Sequence, residues 1–113
     1  MNLNEIVETL KLQVLQGQGE FNVEVSNGYT SDLLSDVMAH SREKNIWITL
    51  QIHPNIVAVA KLKDLAAILL VNDRKPDAET LNKAKEENVP LLGTRDSAFV
   101  ISGKLFELIG GRK

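Results

Sequence analysis

The chain has 113 residues, 43% hydrophobic and 25% charged, with seven glycines, three prolines and no cysteine. This excludes a disulfide scaffold, a zinc ribbon, an iron–sulfur cluster and a thiolate nucleophile, and argues against a disordered or collagen-like chain. Thirteen basic against 15 acidic residues leave a formal net charge of −2, so nothing electrostatic points to nucleic acid or an anionic membrane as partner.

Leu3, Ile6, Val7 and Leu10 fall at helical spacing, with Asn2 or Asn4 as N-cap. Leu12–Leu15 reads as a short strand ending at a Gln16–Gly19 turn. Phe21, Val23 and Val25 alternate with polar residues, which predicts a second, half-exposed strand. Ser26–Thr30 reads as a loop and Ser31–Ser41 as a helix with Leu33, Leu34, Val37 and Met38 on one face. Ile46–Leu50 is a predicted strand, and Trp47 within it is expected to be buried. Pro54 suits the first turn of a helix to Ala66. Ala67–Val71 is continuously apolar, the pattern of a parallel strand covered on both faces. Asp77 caps a helix to Asn88, and Val89–Leu92 is a strand at whose start or edge Pro90 belongs. The last helix carries Phe99, Val100, Gly103, Phe106 and Ile109, with Gly110 and Gly111 to stop it. Strands and helices alternate from residue 46 onward. The expected fold is therefore α/β, a three-layer sandwich with a mostly parallel sheet, in a single domain of residues 1–113. No stretch approaches the ~18 consecutive apolar residues of a membrane span. Met1–Glu5 also lacks the basic flank and apolar run of a secretory signal, so a cytoplasmic location is expected.

A parallel sheet gathers its βα loops at the carboxyl ends of its strands, where ligands bind. Three of these loops enter helix N-termini, which favour anions. Asn27, Gly28, Tyr29, Gln51, His53, Asn72, Arg74, Thr94 and Arg95 are the candidate site residues for a small anionic ligand. Cap preference alone explains Thr30, Ser31, Asp77 and Asp96, but His53 and Arg95 are harder to explain by capping. Catalytic motifs are weak. Gly17-Gln18-Gly19 starts like a dinucleotide fingerprint, but Asn22 takes the third glycine position. Ser102-Gly103-Lys104 resembles the end of a phosphate loop, but lies inside a helix with Ala98 in the first glycine position. His40 and His53 fall on different elements, no GxSxG elbow occurs, and no metal or cofactor is expected.

The Pro54–Ala66 helix is apolar almost all round. If Ala58, Val59, Leu62, Leu65 and Ala66 face the sheet, Val57 and Ala60 fall outside it. A second subunit would then cover them, with Lys61 and Asp64 available for cross-pairing at the rim. Cover by the N-terminal helix or the Phe21 strand is the alternative.

Taken together, Gly28–Met38, Trp47–Thr49, the His53–Ala60 helix, Pro76–Thr80 and Val89–Thr94 resemble the DRTGG-domain family, from Ile6 to Leu108. His53-Pro54-Asn55 stands where typical members carry the Asp-Arg of the family name, and Val71-Asn72-Asp73 where they carry Thr-Gly-Gly. The resemblance implies a fold like the N-terminal domain of HPr kinases, frequent dimerisation and no catalytic residues. It also implies a regulatory role like that beside CBS pairs in pyrophosphatases and in phosphotransacetylases. The altered signatures resemble a stand-alone subfamily found near hydrogenase and signalling genes. The expected function is thus a non-enzymatic, ligand-sensing homodimer, with a signalling or hydrogenase-related protein as a further expected partner. The alternatives are an assembly partner with no small ligand, and a small phosphotransfer or hydrolytic enzyme using His53, which would need a carboxylate such as Asp73 or Asp96 beside it.

Overall fold

The two longest of the strands buried along their whole length organise the molecule: β3 (Asn45–Thr49) and β4 (Ala67–Leu70). They are rich in Ile, Leu and Trp, side chains that repay burial on both faces of a sheet. The structure is a computed structural model that describes residues 1–17 and 21–109; the Gln18–Gly19 part of the expected turn and the glycine stop at 110–111 lie outside these. Around the two strands stand β1 (Gln13–Gln16), β2 (Asn27–Thr30) and β5 (Leu91–Gly93). The helices are α1 (Leu3–Leu10), α2 (Leu34–His40), α3 (Asn55–Leu62), α4 (Ala78–Glu87) and α5 (Ala98–Leu108).

The sheet order is β1-β5-β4-β3-β2. All neighbours run parallel except β1, which pairs antiparallel with β5. Side chains alternate between the two faces. Ile46, Ile48, Ala67, Leu69 and Leu92 meet Leu3 and Ile6 of α1 and Ile101 and Leu105 of α5. Trp47, Ile68, Leu70 and Leu91 meet Val37 of α2, Val57 and Ala60 of α3 and Ala84 of α4. This is the expected three-layer α/β sandwich. Pro90 lies just before β5, which is an interior strand, so of the two expected placements the strand start is the observed one.

Four local expectations are corrected. Phe21–Val25 forms no ladder strand. It lies against the N-terminal arm, with Leu3 and Asn4 N–H donating to the carbonyls of Val23 and Phe21, and Val25 N–H donating to that of Met1. Phe21 and Val25 are buried there. The second strand is instead Asn27–Thr30, read from sequence as a loop. Pairing to β3 and cover by α5 override the turn preferences of Asn27 and Gly28.

Helix α2 starts at Leu34 rather than Ser31, because the side chains of Ser31 and Asp32 bond to groups outside the helix or ahead of its first turn. Ser31 Oγ accepts from Leu33 N–H, and Asp32 Oδ1 accepts from the Thr49 hydroxyl at 2.9 Å and Leu50 N–H at 2.7 Å. Leu33 consequently leaves the predicted apolar face and is 64% exposed.

Of the residues expected to face the sheet from the Pro54–Ala66 helix, Val59, Leu65 and Ala66 are buried, but at the others the orientation differs from the expectation. Val57 and Ala60 have 0% and 1% exposure, whereas Ala58 is exposed and Leu62 is 70% exposed. The flanks of α3 are covered by α2 and α4. Lys61 Nζ donates to the Glu87 carbonyl at 3.2 Å, and Asp64 pairs with Lys44 at 3.0 Å. The predicted interface of Val57, Ala60, Lys61 and Asp64 is therefore corrected: the first two belong to the core and the others have partners within the chain.

Helix α5 buries Ile101 and Leu105 and leaves Phe99, Val100 and Phe106 exposed.

Candidate functional site

The β4–α4 and β5–α5 loops are held together by main-chain hydrogen bonds at the carboxyl end of the sheet. Asn72 and Asp73 both take the left-handed conformation, with φ of 56° and 55°. This conformation suits short Asn and Asp side chains better than bulkier ones. It turns Asn72 N–H toward the Asp96 carbonyl at 2.9 Å and Asp73 N–H toward the Thr94 carbonyl at 2.8 Å. Thr94 Oγ1 in turn accepts from Asp96 N–H at 3.2 Å. The loops therefore form one cross-braced unit.

Beside that unit opens a cleft of about 550 Å³. Asp73 and Lys75 line it from the β4–α4 loop, and Thr94, Arg95 and Asp96 from the β5–α5 loop. Gln13 of β1, Gly93 of β5, Lys104 of α5, Leu10 and Lys11 complete the wall. Lys11 is brought there as the left-handed C-cap of α1, at φ 54°. Four cations thus face two carboxylates. Lys75 pairs with Asp73 at 3.2 Å and Lys104 with Asp96 at 2.9 Å. Lys11 and Arg95 have no ion-pair partner among the described residues. Solvent-exposed pairs such as these two contribute about 0–1 kcal/mol each.

The nine candidate residues do not form one cluster. Thr94 and Arg95 line the cleft, while Asn72 and Arg74 stand at the same end of the sheet outside its wall. Gln51 is engaged elsewhere, its Nε2 donating to the Asp32 carbonyl at 2.8 Å. His53 Nδ1 lies 3.2 Å from Asp77 Oδ2, with both side chains exposed. The carboxylate beside His53 is thus neither Asp73 nor Asp96. Asp77 makes no side-chain cap to α4.

Asn27 opens β2 opposite Asn45 and so lies at the amino end of the sheet, away from the rim. Gly28 serves packing: a Cβ there would come within 2.8 Å of Leu105 Cδ2. Tyr29 donates its hydroxyl to Asp36 at 2.9 Å, and Asp36 also contacts His40 Nδ1 at 3.0 Å. Hydrogen bonds from Ser31, Tyr29 and His40 hold the Asp36 carboxyl below the usual carboxylate range. The same bond to Asp36 pushes the Tyr29 phenol up.

Lys11, Gln13, Lys75 and Lys104 escaped the sequence reading. Lys75 had a local signal in its place in a βα loop, and Lys104 one in the Ser102-Gly103-Lys104 run that was set aside as lying inside a helix. Lys11 and Gln13 reach the cleft because β1 turns back antiparallel to β5 and α5 packs beside α1, whereas Lys104 reaches it from α5, eight residues beyond Asp96 of the β5–α5 loop. Among the described residues, no group of three or more His, Asp or Glu stands close enough to hold a metal ion, and no helix is long and apolar enough to cross a membrane.

No family model matches the chain, and no curated protein matches it. Among solved structures it is similar to the CBS and DRTGG domains of the regulatory region of Clostridium perfringens pyrophosphatase, described in complex with an activator, diadenosine tetraphosphate. The likeness has a TM-score of 0.72 and 18% identity, and covers 91% of this chain and 44% of that one. The chain thus spans less than half the length of that regulatory region. At this identity the likeness concerns architecture: the five-stranded, mostly parallel sheet with helices on both faces is a DRTGG-related fold.

Proposed function

We propose that this chain is a regulatory, ligand-sensing domain without catalytic chemistry of its own. It takes a small phosphorylated anion, a nucleotide or phospho-metabolite, in the cleft between the β5–α5 loop, the β4–α4 loop and Lys11. The observation that carries the reading is the excess of positive charge there, with Lys11 and Arg95 lacking ion-pair partners among the described residues. The cleft volume of about 550 Å³ falls within the ~300–1,000 Å³ typical of small-molecule sites. The nucleotide activator described with the structurally similar regulatory region supports the ligand class. Association into a homodimer in the cytoplasm belongs to the same reading, with the contact elsewhere than Val57 and Ala60.

Isothermal titration with inorganic pyrophosphate, ADP, ATP and diadenosine tetraphosphate tests it. Heat of binding to the wild type, lost in the Arg95→Ala and Lys11→Ala variants, is the expected result. Absence of binding for all four, or binding that both variants retain, overturns it. The exposed Phe99 and Phe106 favour one second reading, an assembly partner of a signalling or redox enzyme. Under that reading the titrations are silent.

A further inference from the structure

The two edges of the sheet are built differently. At one edge, β1 is antiparallel to its neighbour and its register is broken between Val14 and Gln16, an irregularity that blunts further pairing. At the other, β2 pairs in unbroken register with β3 and, among the described residues, has no strand on its far side. Its residues, Asn27-Gly28-Tyr29-Thr30, include no charge, no proline and no bulge, so the usual guards of an open edge are missing.

Above this edge lies α5. The Thr30 hydroxyl meets that of Ser102 at 2.7 Å, and Leu105 sits over Gly28, so the helix runs antiparallel to the strand. Phe99, Ser102 and Phe106 are spaced at i, i+3 and i+7 and fall on one helix face. Ser102 and Phe106 line the small cavity between α5 and β2, which places that face on the edge side. Phe99 is 88% exposed and Phe106 64%.

We infer that this chain self-associates through the β2 edge, with β2 pairing antiparallel to its copy about a twofold axis and the Phe99–Phe106 face of α5 packing across the junction. The inference rests on the homodimer part of the reading above and is independent of the ligand. A twofold axis pairs any strand edge antiparallel with itself, so an open, unguarded, uncharged edge is complementary to its own copy without a designed partner. The area is of the right order. An aromatic side chain buries roughly 150–250 Å², so the two phenylalanines of both copies remove about 600 Å² from water. The four-residue strand edges and the flanking Asn27, Tyr29, Thr30 and Ser102 bring the total toward the ~1,200 Å² at which stable interfaces begin.

Sedimentation velocity at about 100 μM, above the micromolar limit expected for an interface of this size, tests the proposal with four proteins. The wild type is expected near twice 12.5 kDa. Phe106→Glu and Phe99→Glu, each confirmed folded by circular dichroism, are expected as monomers. Leu62→Glu, on the exposed face of α3, is expected to remain a dimer and serves as the control for added charge. A monomeric wild type overturns both the proposal and the homodimer reading, and leaves the α5 face to a different protein. A wild-type dimer that persists in both phenylalanine variants overturns the proposal alone, as does one that only Leu62→Glu dissociates.

Discussion

The indole Nε1 of Trp47 donates to the main-chain carbonyl of Ser31 across 2.8 Å, from a side chain with no exposed surface. One residue thus fills the core on the α2–α4 side of the sheet and anchors the turn that leaves β2. The bond satisfies the indole donor, the condition under which tryptophan is stable in an apolar interior.

Trp47→Ala is therefore expected to cost about 3–5 kcal/mol, the range for deleting a large buried aromatic. The urea midpoint should fall with little change in slope. The native emission maximum should lie to the blue of indole in water and move to the red on unfolding. A water-like native maximum would place Trp47 outside the core.

Gly28→Ala tests the packing of α5 on the edge strand. Gly28 has no positive φ, so the constraint is space and not backbone strain. The added methyl would meet Leu105 Cδ2 at 2.8 Å, and Leu105 is itself buried. A loss of about 1–3 kcal/mol is expected, as for other overpacked cores. Thermal unfolding checks it, and an unchanged midpoint would show that Leu105 yields freely.

Arg95→Ala and Lys11→Ala should separate binding from stability. Both side chains stand in an open cleft without ion-pair partners among the described residues, so melting temperatures should stay within about 3 °C of wild type. Each substitution should weaken pyrophosphate binding roughly tenfold or more, the loss expected for a charge-assisted contact. A large drop in melting temperature with unchanged affinity would make these residues structural.

The Tyr29–Asp36 pair makes stability depend on pH at both ends. The depressed Asp36 carboxyl binds its proton less readily in the fold than in the unfolded chain. Its contribution is full above about pH 4, the unfolded Asp value, and is lost as pH falls through the lower folded value. Tyr29 behaves oppositely, because its pKa is raised. Its contribution is full below about pH 10 and is lost as pH rises through the higher folded value. Urea midpoints measured across pH should therefore fall at both extremes, and Asp36→Asn should flatten both limbs. An Asp36→Asn profile parallel to that of the wild type would remove the pair from the pH response.

Some of this protein is written in short-range pattern. The continuous apolar run at Ala67–Val71 and the Ile-Trp-Ile core of β3 admit few placements other than strands covered on both sides. Alternating strand and helix signals with short connections then lead to a parallel sheet by the handedness of βαβ units. That pattern was legible because each signal lies within a few residues of what it governs, while the structure chose Asn2 over Asn4 as the cap of α1 and the strand start over the sheet edge for Pro90.

Other features depend on which elements become neighbours, and only the tertiary structure decided them. Helix α3 is apolar nearly all round, so its own periodicity cannot choose a face; the flanking α2 and α4 choose it, and Val57 and Ala60 go inward. Asn27 and Gly28 prefer turns, yet the ladder to β3 and the close approach of Leu105 make them an edge strand. Thr94 and Arg95 were foreseeable at a βα loop. Lys104 joins them from α5, eight residues beyond its partner Asp96, whereas Lys11 joins them only through chain reversal at β1, a contact across most of the chain that no local periodicity encodes. Local free energies select helix or strand, whereas the cleft and the exposed phenylalanines follow from which surfaces the folded chain leaves uncovered.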